Sequence, residues 1–159
     1  LSAATMESIR HILVVCVGNI CRSPMAEAVL REALRELPDM TVASAGIGAM
    51  VEQPAAEHAV ALMQERGLDI AAHRARQITA AMLHDADLVL VMEAGHRSVI
   101  DANEPTARGK VFRLGEWQDM DIPDPYRQPR EAFETTLGLI DRGVAGWVEK
   151  LQAGNQKTP

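Results

Sequence analysis

The chain has 159 residues, 47% of them hydrophobic and 24% charged, with 16 basic against 22 acidic side chains and a formal net charge of −6. That length and apolar content suit one domain with a proper core, and nothing in the composition is biased toward disorder. The acidic balance argues against a nucleic-acid partner, because phosphate backbones are bound by basic surfaces. No apolar stretch approaches the roughly 18 residues of a membrane span, and the N-terminus lacks the charged, apolar and cleavable series of a secretory signal. With two cysteines, both inside one loop, the expected compartment is the reducing cytoplasm.

Leu1 to Thr5 precede Met6, and residues 1–8 are read as an N-terminal extension outside the fold, 9–153 as one domain and 154–159 as a tail. Strand-like runs follow at 11–16, 40–45, 87–92 and 110–114, and helical patterns at 24–37, 55–66, 79–84, 94–102 and 129–152. This alternation predicts an α/β fold: one four-stranded parallel sheet with helices on both faces, three layers in all. The helix after the first strand carries Met25, Val29, Ala33 and Leu37 at i, i+4 steps, with Leu30 and Leu34 alongside and Arg31, Arg35 and Glu36 on the other side. Gly67 is expected to stop the second helical pattern and Pro129 to start the last. Ligands of open α/β sheets sit beyond the carboxyl ends of strands at a switch point, which is where the first strand ends. The loops 46–56 and 115–128 would face each other over that pocket.

Residues 16–23 read Cys16-Val17-Gly18-Asn19-Ile20-Cys21-Arg22-Ser23, directly after the apolar run Ile12 to Val15. In that position Gly18 and Asn19 are expected to take positive backbone angles that turn successive N–H groups inward, and Ser23-Pro24 to open a helix whose positive end faces the same spot. The octet is a phosphate cradle with a nucleophile in it. Cys16, among inward N–H groups and beside Arg22, has the surroundings that keep a thiol ionised at neutral pH. Arg22 supplies a planar fork able to hold two phosphoryl oxygens as they move toward the charge-spread transition state, which a lysine cannot do. Ser23 is placed to give its hydroxyl to the sulfur, as nucleophile and as departing thiolate.

The plainer reading makes Cys16 a buried strand-end cysteine, Arg22 a surface charge, and Ser23 an N-cap with Pro24 at the first helical position. With two cysteines in the chain, an arginine at this spacing followed by Ser or Thr arises by accident in roughly one chain in a hundred at ordinary residue frequencies. The strand, glycine and helix start in the right order lower that further, and the cradle is preferred.

Val15 to Pro24, continued by Met25-Ala26-Glu27-Ala28-Val29, resembles the signature loop of the low-molecular-weight protein tyrosine phosphatases. Further matches follow in order: Ser44-Ala45-Gly46, His73-Arg74-Ala75-Arg76-Gln77-Ile78-Thr79, Asp87 to Met92, and Asp124-Pro125-Tyr126. The likeness spans roughly residues 9–150 of the 159. It implies that Cys16 forms a phosphocysteine intermediate, that Arg22 binds phosphate within the loop Val17, Gly18, Asn19, Ile20, Cys21, Arg22 and Ser23, and that Asp124 is the general acid. It also implies supporting roles for Ser23, Ser44 and His73, which rigidify the loop around Asn19, and no metal or other cofactor. The Ile47-Gly48-Ala49-Met50 loop has no aromatic and Arg127 follows Tyr126, a pattern similar to the bacterial members encoded with capsule and exopolysaccharide genes. The implied partner is then a phosphotyrosine-bearing protein, an autophosphorylated bacterial tyrosine kinase of polysaccharide export.

The chemistry asks for a group such as Asp124 independently. A phenol of pKa about 10 leaves poorly as an anion, so a positioned acid should protonate the bridging oxygen, a contribution of typically 10²- to 10⁴-fold. Asp-Pro is also a common turn dipeptide, and Asp121 is the nearest rival for the acid role. Tyr126, the single tyrosine, is either a wall of the substrate slot opposite Ile47 or a packing residue for the last helix. His73 is either a support or a surface histidine. Cys21 is either a reversible disulfide partner for Cys16 or a small apolar filler. Arg22, Arg74, Arg76 and Arg127 are expected to make a local positive mouth.

Three other functions compete. An arsenate reductase shares this cradle but needs one or two further cysteines to reduce its intermediate, and the chain has none beyond Cys16 and Cys21. A phosphocysteine relay has no use for Arg22 or Asp124. A non-enzymatic phosphotyrosine-binding module would need the cradle without the nucleophile.

Overall fold

The computed structural model describes residues 1–156. Four parallel strands, β1 (His11–Cys16), β2 (Thr41–Gly46), β3 (Leu88–Val91) and β4 (Val111–Arg113), pair in the order β2-β1-β3-β4. Their near-continuous apolar runs are what a sheet covered on both faces requires. The pleat divides each strand between two cores. Ile12, Val14 and Cys16 of β1 and Leu88 and Leu90 of β3 face one side, while Leu13, Val15, Val89 and Val91 face the other.

The first face is covered by α2 (Arg22–Ala33), α3 (Glu57–Glu65) and the long α6 (Arg130–Gln156), the second by α4 (Ala80–Asp85) and α5 (Ala94–Asn103). Trp147 of α6 is fully buried, meets Trp117 and Phe112 edge-on at 5.2 and 5.8 Å, and donates its indole N–H to Arg113 O at 3.1 Å. The α3 helix ends as expected at Gly67, whose φ is 75°: Gly67 N–H bonds Gln64 O and Leu68 N–H bonds Met63 O, the paired closure that a left-handed residue allows. Because the strand order reverses between β1 and β3, their carboxyl ends open a crevice, and the Cys16 loop occupies it. Among the described residues no helix is long and apolar enough to cross a membrane.

Three boundaries differ from the sequence reading. Helix α2 begins at Arg22, so Ser23 is not its N-cap and Pro24 sits third in its first turn, where a missing N–H is still harmless. The Ser23 hydroxyl bonds within the cradle instead of capping. Residues 1–8 are not an extension outside the fold: α1 (Ala3–Ser8), capped by Ser2, packs on α6 with Met6 buried. The contact is close because Gly154 has no side chain; a Cβ there would lie 3.1 Å from that of Met6. Helix α6 accordingly runs to Gln156, past the boundary expected at 153, and of the expected tail residues 157–159 lie outside the described residues.

Met6→Ala is expected to destabilise the chain by about 2 kcal/mol, the lower end for a buried methionine because a terminal helix frays. A urea unfolding midpoint equal to that of the wild type would show that α1 contributes nothing to the fold.

Candidate active site

Cys16 ends β1, and the five residues before α2 curl around its sulfur. Asn19 carries the left-handed turn with φ 59°; Gly18, expected to share it, is not in that region. One such residue suffices, because its amide side chain secures the strained backbone. The Asn19 backbone N–H points at Cys16 Sγ from 3.3 Å, and Ser23 Oγ lies 2.9 Å from the same sulfur. Asn19 Nδ2 donates to Ser23 Oγ at 2.7 Å, so the serine oxygen is already an acceptor and its own proton is free for the sulfur.

Both the nitrogen and the oxygen of the fully buried Asn19 side-chain amide are hydrogen-bonded. Nδ2 also donates to Ser44 Oγ at 3.0 Å, Oδ1 accepts from the Arg76 backbone N–H at 3.0 Å, and the Asn19 carbonyl accepts from His73 Nε2 at 2.7 Å. Ser44 passes its proton on to Glu27 Oε1 at 2.5 Å. A buried polar network with no member unsatisfied rigidifies what it touches. Thus Ser23, Ser44 and His73 all converge on the loop. Glu27, on α2, completes the chain without having been singled out in the sequence, although it lies inside the matched motif. Gly46 is needed for closeness: a Cβ on it would come within 2.4 Å of Val17 O.

Arg22 is only 1% exposed. Its Nη1 donates to Glu93 Oε2 at 2.6 Å and to Ile122 O at 2.7 Å, and its Nη2 lies 3.6 Å from Asp124 Oδ2. Among the described residues its Nε has no partner. One corner of the planar guanidinium is therefore tethered, while the Nε edge remains open. Arg22 borders a cavity of about 240 Å³ whose walls include Cys16, Val17, Ile20, Met50, Asp124 and Tyr126.

Asp124 stands at the mouth, its side chain 44% exposed, with Oδ1 accepting from the Tyr126 N–H at 3.1 Å. Its rival Asp121 instead accepts from the Ala94 N–H at the start of α5 and pairs with Arg113, and it is not part of the cavity wall. Tyr126 is on the wall and half exposed, with the Arg127 guanidinium 5.2 Å above its ring. The expected slot residue Ile47 is not there. Ala43, Ala45 and Ile47 alternate along β2 and its continuation, so the pleat turns Ile47 to the core under α4 and α5; Gly48 and Met50 line the cavity in its stead. The expected positive mouth is also reduced, since Arg74 and Arg76 bond backbone carbonyls behind the loop and are not part of the cavity wall.

Residues 11–157 match the family described as low molecular weight phosphotyrosine protein phosphatase. The chain belongs to that family. It is 51% identical over 145 residues to a probable low molecular weight protein-tyrosine-phosphatase, EpsP, of Ralstonia solanacearum, covering 91% of this chain and 98% of that one. Wzb of Vibrio vulnificus, solved in complex with benzylphosphonate, superposes with a TM-score of 0.85 at 44% identity, covering 90% of this chain and 99% of the other. The YwlE arginine phosphatase of Geobacillus stearothermophilus superposes at 0.87 with 34% identity, covering 94% and 97%.

The phosphatase holds both of its cysteines as free thiols. Burial, helped by the charges of Asp124 and Cys16 and opposed by Arg22, pushes the Cys21 thiol up to about 12. Cys21 therefore stays protonated at neutral pH, and in this form it is an apolar filler. Iodoacetamide at pH 7.5 is expected to modify one thiol rapidly in the native protein and none in Cys16→Ser. Rapid modification of that variant would show Cys21 to be ionised and accessible.

Proposed function

We propose that this phosphatase hydrolyses phosphotyrosine in protein through a phosphocysteine intermediate. The observation that carries the reading is the open Nε edge of the buried Arg22 beside Cys16 in one cavity. A buried charged donor without a partner is costly to keep, and a phosphoryl oxygen supplies the missing acceptor. The Cys16 thiolate, receiving hydrogen bonds from Ser23 and the Asn19 N–H, attacks phosphorus in line with the bridging oxygen. Asp124, at the mouth, delivers its proton to that oxygen as the P–O bond breaks, and tyrosine leaves neutral. The resulting Asp124 carboxylate then takes a proton from the water that attacks phosphocysteine, releasing inorganic phosphate and restoring Cys16. Ser23 stabilises the sulfur as it departs.

The walls favour an aryl substrate. Val17, Ile20, Met50 and Tyr126 present apolar surface suited to a flat ring, and the likeness to a Wzb solved with benzylphosphonate supports the same ligand class here. The likeness to an arginine phosphatase favours a second reading, phosphoarginine. Its guanidinium would need several acceptors, and Asp124 is the one carboxylate on the wall. The reading extends to the cytoplasm as compartment and to an autophosphorylated tyrosine kinase of polysaccharide export as partner.

Hydrolysis of a phosphotyrosine peptide, a phosphoarginine peptide and the phosphorylated kinase tail decides among these. Turnover of the phosphotyrosine peptide at least about a hundredfold above the phosphoarginine one is expected, and the reverse order would overturn the aryl assignment. Asp124→Asn is expected to lower kcat by about 10²- to 10⁴-fold for leaving groups near pKa 10 and much less for activated phenols. An equal loss for both would move the proton donor elsewhere.

A further inference from the structure

Arg22 can hold a phosphoryl group well only if the plane of its guanidinium is fixed, and the charged group that fixes it, beside the Ile122 carbonyl, is Glu93. Glu93 itself follows β3 at the carboxyl edge of the sheet, immediately before α5, and its side chain is 38% exposed. A glutamate so exposed has several rotamers open to it. Besides Arg22, it meets His96, in the first turn of α5, whose Nε2 lies 3.3 Å from the same Glu93 Oε2 that receives Arg22 Nη1. The His96 backbone N–H also bonds Glu93 O at 3.0 Å, so ring and carboxylate are tied to one helical turn.

We propose that His96 is a positioning residue that fixes the Arg22 guanidinium for phosphate by holding the Glu93 carboxylate. The proposal rests on the phosphatase reading above. A carboxylate oxygen can only accept, so the tautomer that suits this contact carries its proton on Nε2. The other nitrogen, Nδ1, is buried without a partner. An unsatisfied buried nitrogen calls for an explanation, and the contact of the same ring to Glu93 is the one this geometry offers. The charged groups around the ring are Arg22, Glu93, Asp121 and Asp124. Burial, then Arg22, hold the imidazole below its ordinary range against the opposite pull of the three carboxylates. Neutral at pH 7, His96 steadies Glu93 without competing with Arg22 as a second cation.

The test measures phosphate affinity by calorimetry and aryl phosphate hydrolysis on the full chain, for wild type, His96→Leu, His96→Gln, Glu93→Gln and the double variant Glu93→Gln/His96→Leu. His96→Leu is expected to weaken inorganic phosphate binding about tenfold, within the range of coupling between contacting residues, and to lower kcat/KM by a similar factor. His96→Gln, which retains an N–H donor, should recover most of both. The double variant should be no worse than Glu93→Gln, because His96 acts through that carboxylate. Phosphate affinity of His96→Leu within twofold of wild type, or losses that multiply in the double variant, would overturn the proposal. If His96→Leu does not fold, His96→Asn, with a shorter side chain, takes its place under the same criteria. Calorimetry needs no turnover, so a wild type that binds phosphate without hydrolysing the ester would overturn the catalytic reading and not this one.

Discussion

An arginine with 1% of its surface exposed carries a charge that the fold must answer for, and Arg22 is answered closely by Glu93, loosely by Asp124 and, among the described residues, not at all at Nε. Glu93 and the Ile122 carbonyl hold Nη1, while Nε faces no protein acceptor. The strand order makes this possible. Reversal between β1 and β3 brings the end of β1, the start of α2 and the residue after β3 to one point, so a cation from one crossover meets a carboxylate from the next. On the phosphotyrosine reading, a phosphoryl oxygen would finish this half-completed coordination.

The loop around the sulfur solves a different problem. A backbone that aims its amides inward loses its ordinary ladder partners, and here one side chain replaces them. The Asn19 side chain ties the loop to α2 through Ser23, to β2 through Ser44, and to the 73–76 segment through Arg76, while its backbone carbonyl accepts from His73. Three separate stretches of chain are thereby held to the geometry of a single amide. Gly46, pressed against Val17 O, lets β2 come close enough for this to happen.

Much of this was legible in the residues. Apolar runs placed the four strands to within a residue or two, since parallel strands buried on both faces read as short continuous apolar runs, too short for helices. The spacing from Cys16 to Arg22 and Ser23 marked the cradle. What escaped depended on contacts distant in sequence. Period alone does not say that α1 docks on α6, because the decisive feature is the absence of a side chain at Gly154. Ile47 was assigned by loop position when the pleat, continued from Ala43 and Ala45, already turned it away. Glu93 was readable in principle, as a carboxylate just past the end of β3 at the switch point; His96 was not, because its meaning comes from Glu93 and Arg22. The start of α2 shifted because the Ser23 oxygen accepts from Asn19 Nδ2 and its hydroxyl meets Cys16 in the cradle, instead of accepting from a helix N–H.

A cradle held in shape by Asn19 before anything arrives has no means of telling arrival from departure. Free phosphate is a tetrahedral oxyanion like the esterified group, and on the phosphotyrosine reading it lacks only the ring that Tyr126 and Met50 would flank. The product therefore competes for the vacated seat with nearly the whole of the substrate's recognition. Net throughput would then fall as ambient orthophosphate rises, a throttle that comes from rigidity and needs no separate regulatory site.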